Sequence, residues 1–217
     1  MCGIVGGIGQ AVVDSIESMV DLMQHRGPDH TACWSSGNVA LGHARLSIID
    51  TASSNNQPLW DQTGRYCLIF NGEIYNYLSI REKLMLKGAT FRTKGDSEVL
   101  LLAIIYFGVD ILAELEGIFA FCIYDKVAET LILARDKFGV KPLYYYDYDG
   151  HFMFGSEYKS FLANRLFIPE VNHDALFRIL TFMYNPGNET TFKYVKKLPA
   201  GNYMTYHIGS KSIDLKT

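Results

Sequence analysis

The sequence has 217 residues, 48% of them apolar and 20% charged, with a formal net charge of −3. A chain of this length buries roughly 70% of the surface it exposes when unfolded, so a core without staples is feasible. The mild acidity and the scattered lysines and arginines speak against general binding of nucleic acid or anionic membrane, which needs a basic surface.

Cys2 to Gly9 mixes β-branched residues with glycine and reads as a buried strand approached closely by other backbone. Asp14 to Gln24 has helical spacing, with Ile16, Met19, Val20 and Met23 on one face, until Gly27-Pro28-Asp29 breaks it. Strands are predicted around Thr31 to Trp34 and Val39 to Ala44, then a loop at Ser53 to Asn56. Tyr66 to Phe70 reads as a strand ending at the turn signal Asn71-Gly72. Helices are predicted over Tyr77 to Lys87 and Ser97 to Phe107, and a hairpin over Phe119 to Tyr124 and Thr130 to Ala134. Leu143 to Tyr146, Phe152 to Phe154 and Asn202 to His207 read as strands, and Ala175 to Phe182 as a helix. Many short strands with a few helices indicate an α+β fold with helices packed on antiparallel sheets. No repeat or linker divides the chain, so residues 1–217 read as one domain.

The four cysteines, Cys2, Cys33, Cys67 and Cys122, include no Cys-x-x-Cys pair. There is no secretory leader pattern and no apolar run of the ~18 residues that suggest a membrane span. A reduced, cytoplasmic chain is therefore expected, with no membrane or nucleic-acid partner. His25, His43 and His151 lack the spacing of a zinc site, so no metal is expected either.

Cys2 is the leading candidate for chemistry. Once Met1 is removed, one residue carries both a thiol with an unperturbed pKa of about 8.5 and an α-amine of about 7.7–8.0. Nucleophile and base then need no histidine partner. The plain alternative is a small residue opening a strand. If Met1 stays attached, the nitrogen is an amide and cannot accept the proton.

The motifs MCGIVG, HRGPD (His25 to Asp29), HARLSIID (His43 to Asp50), FNGEIYN (Phe70 to Asn76), GDSE (Gly95 to Glu98), GIFAFCIYD (Gly117 to Asp125) and ARDKFGVKPLYY (Ala134 to Tyr145) occur in one order. FGSEYKSF (Phe154 to Phe161) and FKYVKKLPAGNYM (Phe192 to Met204) follow them. Together they resemble the class II glutamine amidotransferase domain, in the version found at the front of glutamine-hydrolysing asparagine synthetases. The resemblance covers nearly the whole chain. It implies the Ntn-hydrolase fold, a four-layer αββα sandwich with two antiparallel sheets.

The resemblance also implies roles. Cys2 is the nucleophile, forming a thioester with glutamine and releasing ammonia. Asn71 and Gly72 form the oxyanion hole, where one donor is worth on the order of 10²–10³ in rate. Arg45 grips the substrate carboxylate, for which its planar fork suits a bidentate pair, with the backbone of Leu46 to Ile49 (including Ile48 and Ile49) nearby. Glu73 and Asp96 bind the α-ammonium. Residues alone leave plainer readings open: a surface arginine at Arg45, a hairpin turn at Asn71-Gly72, and helix capping by Gly-Asp-Ser-Glu. Arg26, Arg135 and Asp136 are read as structural, ordering loops by ion pairs and turns.

Gly155 and Tyr158 depart from the family's usual residues, outside the expected glutamine pocket. No SGGxDS-type or GxxxxGK[ST] phosphate loop occurs, so no residue here can carry ATP chemistry. The resemblance thus implies a C-terminal synthetase domain absent from this chain, using ATP and Mg²⁺ to make asparagine from aspartate; it also admits a homodimer. Glucosamine-6-phosphate synthase and phosphoribosyl amidotransferase types fit less well. An amidotransferase serving another carboxylate or a sugar, and a catalytically silent regulatory module, remain as alternatives.

Overall fold

Strand β1 (Gly3–Ile8) is buried at all six positions, because other layers cover both its faces. It lies inside the first of two six-stranded sheets in a computed structural model that describes residues 1–46 and 55–217. On one side β1 pairs antiparallel with β3 (Val39–Arg45), which pairs in turn with β2 (His30–Ser36). On the other side it pairs with β9 (His151–Gly155), followed by β8 (Tyr144–Tyr148) and β10 (Val195–Lys197).

The second sheet runs β12 (Ser212–Lys216), β11 (Tyr203–His207), β7 (Thr130–Arg135), β6 (Gly117–Asp125), β5 (Tyr66–Ile74) and β4 (Leu59–Trp60), again with antiparallel neighbours.

Three apolar clusters define the layers. Ile4, Leu41 and Phe154 of the first sheet meet Ile69, Leu133 and Tyr206 of the second in a core between the sheets. Helix α1 (Gln10–Asp21) packs Val12, Ile16, Met19 and Val20 onto the outer face of the first sheet, against Val5, Ala40 and Ala44. Helices α2 (Tyr77–Leu86) and α3 (Asp96–Phe107) cover the outer face of the second sheet, against Leu68, Phe70 and Phe121. The result is the expected α+β sandwich of helix, sheet, sheet and helix. A last helix, α4 (His173–Phe182), is N-capped by Asn172, whose side chain accepts from Ala175 N at 3.1 Å.

The pleat decides where side chains go, since alternate residues face opposite sides of a sheet. Ile4 and Ile8 of β1, Val39 and Leu41 of β3, and Cys67 and Ile69 of β5 all face the gap between the sheets. Continuing each alternation sends Cys2, His43, Arg45, Asn71 and Glu73 toward that gap at one end of the sandwich.

Two elements differ from expectation. Helix α1 begins at Gln10 rather than Asp14, directly after Gly9 turns the chain with φ 113°. Strand β5 does not stop at Phe70: Asn71-Gly72 lies inside it, paired with Ala120 and Phe119 of β6. A Cβ at Gly72 would come within 2.2 Å of the Ile118 carbonyl oxygen, so the glycine serves close strand approach and not a turn. Strands β4, β10 and β12 are not among the predicted elements; β4 and β10, two and three residues long, are too short to show an alternation, whereas β12, Ser212–Lys216, does alternate polar and apolar residues.

Candidate active site

The end of β1 is held by a relay from two separate segments. Arg26 donates from Nε to the carbonyl oxygen of Cys2 at 3.0 Å and from Nη1 to Glu157 Oε1 at 2.8 Å. Glu157 also meets His25 Nε2 at 3.0 Å, and the Arg26 pairing holds its carboxyl below the usual range against the opposing effect of burial. Ser156 accepts from Ile4 N at 3.1 Å through its hydroxyl and donates its own N–H to the Ile4 carbonyl at 2.8 Å. The HRGPD arginine thus orients the residue that carries the thiol, in line with its structural reading. The Cys2 sulfur sits at the end of β3, 3.4 Å from the backbone nitrogen of Leu46.

Beside it opens a cleft of about 620 Å³, counting its mouth, lined by Cys2, Arg45, Leu46, Asn71, Gly72, Glu73 and Asp96. Seven of the nine residues expected at the site therefore line one cleft. The other two, Ile48 and Ile49, lie outside the described residues, as do Ser53 and Ser54 of the expected loop.

Arg45 is nearly buried at the end of β3 and donates from Nη1 to Asn56 Oδ1 at 2.5 Å, so it is no surface arginine. Asn71 is 1% exposed, and its Nδ2 has no hydrogen-bond partner among the described residues. A buried amide donor of that kind costs on the order of 1–3 kcal/mol unless something accepts from it.

The edge of β5 explains why donors face the cleft. In an antiparallel strand, alternate residues turn their backbone N–H and C=O to the same side. Strand β4 covers that side only at Leu68 and Cys67. Further along, side chains take its place: Gln57 Oε1 accepts from Phe70 N at 2.5 Å, and Asp96 Oδ2 accepts from Ile74 N at 3.0 Å. Gly72 N lies between them on the same edge.

Asp96 opens α3 as its first residue, after Gly95, which contributes no side-chain cap. Burial raises its pKa above the ordinary carboxyl value; neighbouring Glu73 raises it further, and N–H donors from Ile74 and Ser97 partly oppose this. Two carboxylates beside one cleft suit an ammonium group. Glu98 serves the preceding loop instead, accepting from Thr93 N at 2.6 Å and from Arg92 N at 3.0 Å.

His43, Asn55, Gln57, Ser97 and Lys141 also line the cleft and were not expected there. Gly95 lets Asn55 in, since a Cβ would stand 2.3 Å from Asn55 Nδ2. The sequence signal for Asn55 to Gln57 is a run of side-chain amides after Arg45. Lys141 carries no comparable signal. Among the described residues, no group of three or more His, Cys, Asp or Glu side chains is placed to hold a metal ion.

Arg135 and Asp136 shape the loop that ends at Lys141. Arg135 donates to the carbonyls of Lys141, Leu198 and Gly139. Asp136 accepts from the backbone nitrogens of Phe119, Phe138, Val140 and Lys141.

The profile of the family described as "Glutamine amidotransferase domain" matches residues 1–215. The chain belongs to that family. This amidotransferase domain is 38% identical over 212 residues to "Asparagine synthetase [glutamine-hydrolyzing] 1" of Bacillus subtilis, covering 94% of this chain and 33% of that protein. It is 33% identical over 236 residues to "Putative asparagine synthetase [glutamine-hydrolyzing] 2" of Methanocaldococcus jannaschii, covering 98% and 45%. The domain thus spans a third to under half the length of these relatives. Its fold is shared by the glutamine phosphoribosylpyrophosphate amidotransferase of B. subtilis, with TM-score 0.70 and 20% identity over 99% of this chain and 49% of that one. No helix among the described residues is long and apolar enough to cross a membrane.

Proposed function

We propose that this domain hydrolyses glutamine to glutamate and ammonia through a thioester on Cys2, once Met1 has been removed. The observation that carries the proposal is the shared cleft: the Cys2 thiol, a buried guanidinium, two carboxylates and an unpartnered buried amide donor all line it.

The Cys2 α-amine takes the thiol proton, directly or through one water, and the sulfur attacks the side-chain carboxamide carbon of glutamine. The carbonyl electrons move to oxygen, where Asn71 Nδ2 and Gly72 N stabilise the charge. Collapse breaks the carbon–nitrogen bond, and the α-ammonium returns its proton so that ammonia leaves. Water then attacks the thioester, releasing glutamate and restoring the thiol. Arg45 holds the substrate's α-carboxylate, with the backbone of Leu46 to Ile49 beside it, and Glu73 with Asp96 holds its α-ammonium.

The names of the relatives, and their greater length, support a further assignment. Residues 1–217 form one amidotransferase domain that supplies ammonia to an attached synthetase domain, which amidates aspartate with ATP and Mg²⁺. Glutamate release by Met1-processed protein, and its loss in Cys2→Ala with the melting temperature retained, tests the first assignment. Full activity in Cys2→Ala would remove Cys2 from the mechanism. Asparagine formation from ATP, aspartate and glutamine by the protein that contains this domain tests the second.

A further inference from the structure

His43 lies on β3 two residues before Arg45 and is fully buried at the wall of the cleft. Its Nε2 stands 3.2 Å from the carbonyl oxygen of Phe70. A carbonyl only accepts, so Nε2 carries the proton and Nδ1 is the bare nitrogen of a neutral ring. Burial first, then the nearby Arg45 and His30, pull its pKa down to about 4 against the opposing effect of the Phe70 bond. The ring therefore stays neutral, and its role fixed, at physiological pH.

The bonded carbonyl belongs to the residue just before Asn71. Strand β4 has already ended there, so the edge of β5 has no strand neighbour to fix it. Phe70 is instead gripped on both backbone groups, its N–H by Gln57 and its carbonyl by His43. His43 spans the gap between the two sheets: it ties β3, which carries Arg45, to β5, which carries Asn71. The buried Asn71 Nδ2 and His43 Nδ1 are an unpartnered donor and an unpartnered acceptor among the described residues, and the pleat turns both toward that gap.

We propose that His43 is a positioning residue for glutamine hydrolysis, fixing the Phe70–Asn71 segment so that the Asn71 amide is aimed at the forming oxyanion. The proposal rests on the glutaminase reading above. Its effect falls on the transition state, because the carboxylate and ammonium contacts of the bound substrate belong to other residues. Displacing a catalytic group by about 1 Å can cost on the order of 10²-fold in rate.

The test compares wild type, His43→Phe, His43→Gln and His43→Asn as Met1-processed proteins, in steady-state glutamine hydrolysis and thermal melting. His43→Phe keeps the ring but donates nothing. His43→Gln places a neutral N–H donor near Nε2, and His43→Asn is too short to reach Phe70. The expected result is a fall in kcat of about 10- to 100-fold for Phe and Asn with KM within about threefold, and recovery of most of it in Gln. If His43→Phe does not fold, Asn against Gln carries the same comparison. Equal losses in all three variants, unchanged kcat in Phe and Asn, or a change mainly in KM would each overturn the proposal. So would ¹⁵N imidazole spectra of the wild type showing His43 protonated at Nδ1 near pH 7. A wild type that releases no glutamate overturns the glutaminase reading and this proposal with it; an active wild type indifferent to His43 overturns this proposal alone.

Discussion

Arg26 and Cys2 are joined by a hydrogen bond from a side chain to a backbone carbonyl: the guanidinium Nε lies 3.0 Å from the Cys2 oxygen, and Glu157 fixes the other end of the fork. Once Met1 is removed, Cys2 has no preceding residue to restrain it, and under the proposed mechanism the bond to its carbonyl then sets how thiol and α-amine face the cleft. Arg26→Gln is expected to lower kcat for glutamine hydrolysis by about 10²-fold, the scale of a misplaced nucleophile. It should also destabilise the fold by about 1–3 kcal/mol through the loss of partners to Cys2 and Glu157. Kinetics and chemical denaturation measured together check this; a stability loss with unchanged kcat would confine Arg26 to folding.

Asp136 is fully buried and accepts from four backbone nitrogens in the loop leading to Lys141 and in β6. Asp136→Ala leaves those donors without an acceptor and removes a charge-assisted network. Each abandoned donor carries a penalty of roughly 1–3 kcal/mol, so the variant is expected to unfold or to lose about 3 kcal/mol or more. Asp136→Asn, which keeps one oxygen, should lose less. Urea unfolding of both variants decides it, and near-native stability of Asp136→Ala would contradict the network reading.

Much of this site is legible in the sequence. Cys2 is marked by its place after Met1, and Arg45, Asn71, Gly72, Glu73 and Asp96 by motifs in register. Strands β3 and β6 are legible from their nearly continuous runs of apolar and small residues, as expected where both faces are covered. Gly72 was misread locally, because Asn-Gly signals a turn unless a neighbouring strand presses on it, and β6 is distant in sequence. His43 and Lys141 could not be found by spacing. Their place in the cleft depends on two sheets meeting face to face and on a loop held by Arg135 and Asp136, relationships that no local pattern encodes. Asp96 lies between these cases. Its sequence context suits a cap, yet Gly95 takes that position and frees Asp96 for the edge of β5 and the cleft.

Arg45 and Asn71 should separate in kinetics. Arg45 is assigned to a substrate group that does not react, so Arg45→Ala is expected chiefly to raise KM. Loss of one partner from a desolvated charged contact costs about 2–5 kcal/mol. Asn71 Nδ2 is assigned to an oxyanion that exists only in the transition state, so Asn71→Ala should lower kcat by about 10²–10³-fold with a smaller change in KM. Steady-state glutamine hydrolysis at one pH reports both, and the opposite pattern would exchange the two roles.

Asp96 sets function against stability. Burial raises its pKa in the folded protein, so in the window between its unfolded and folded values the folded state binds more protons than the unfolded state. Stability therefore falls as pH rises through that window, and above it the buried carboxylate is a standing cost to the empty protein. The substrate ammonium needs the same carboxylate ionised. Asp96→Asn keeps an oxygen for Ile74 N and removes the charge. It is expected to melt at the same or a higher temperature near neutral pH, while glutamine binding weakens by about 1.5–3 kcal/mol, the usual worth of a hydrogen bond to a charged group. In the wild type, KM should rise as pH falls through the raised Asp96 value, at higher pH than an ordinary carboxyl would produce, and this limb should vanish in Asp96→Asn. Melting curves and KM measured across pH for both proteins check the two halves separately. A variant that melts lower and keeps wild-type KM would show that the Asp96 charge holds the start of α3 in place and does not hold the substrate.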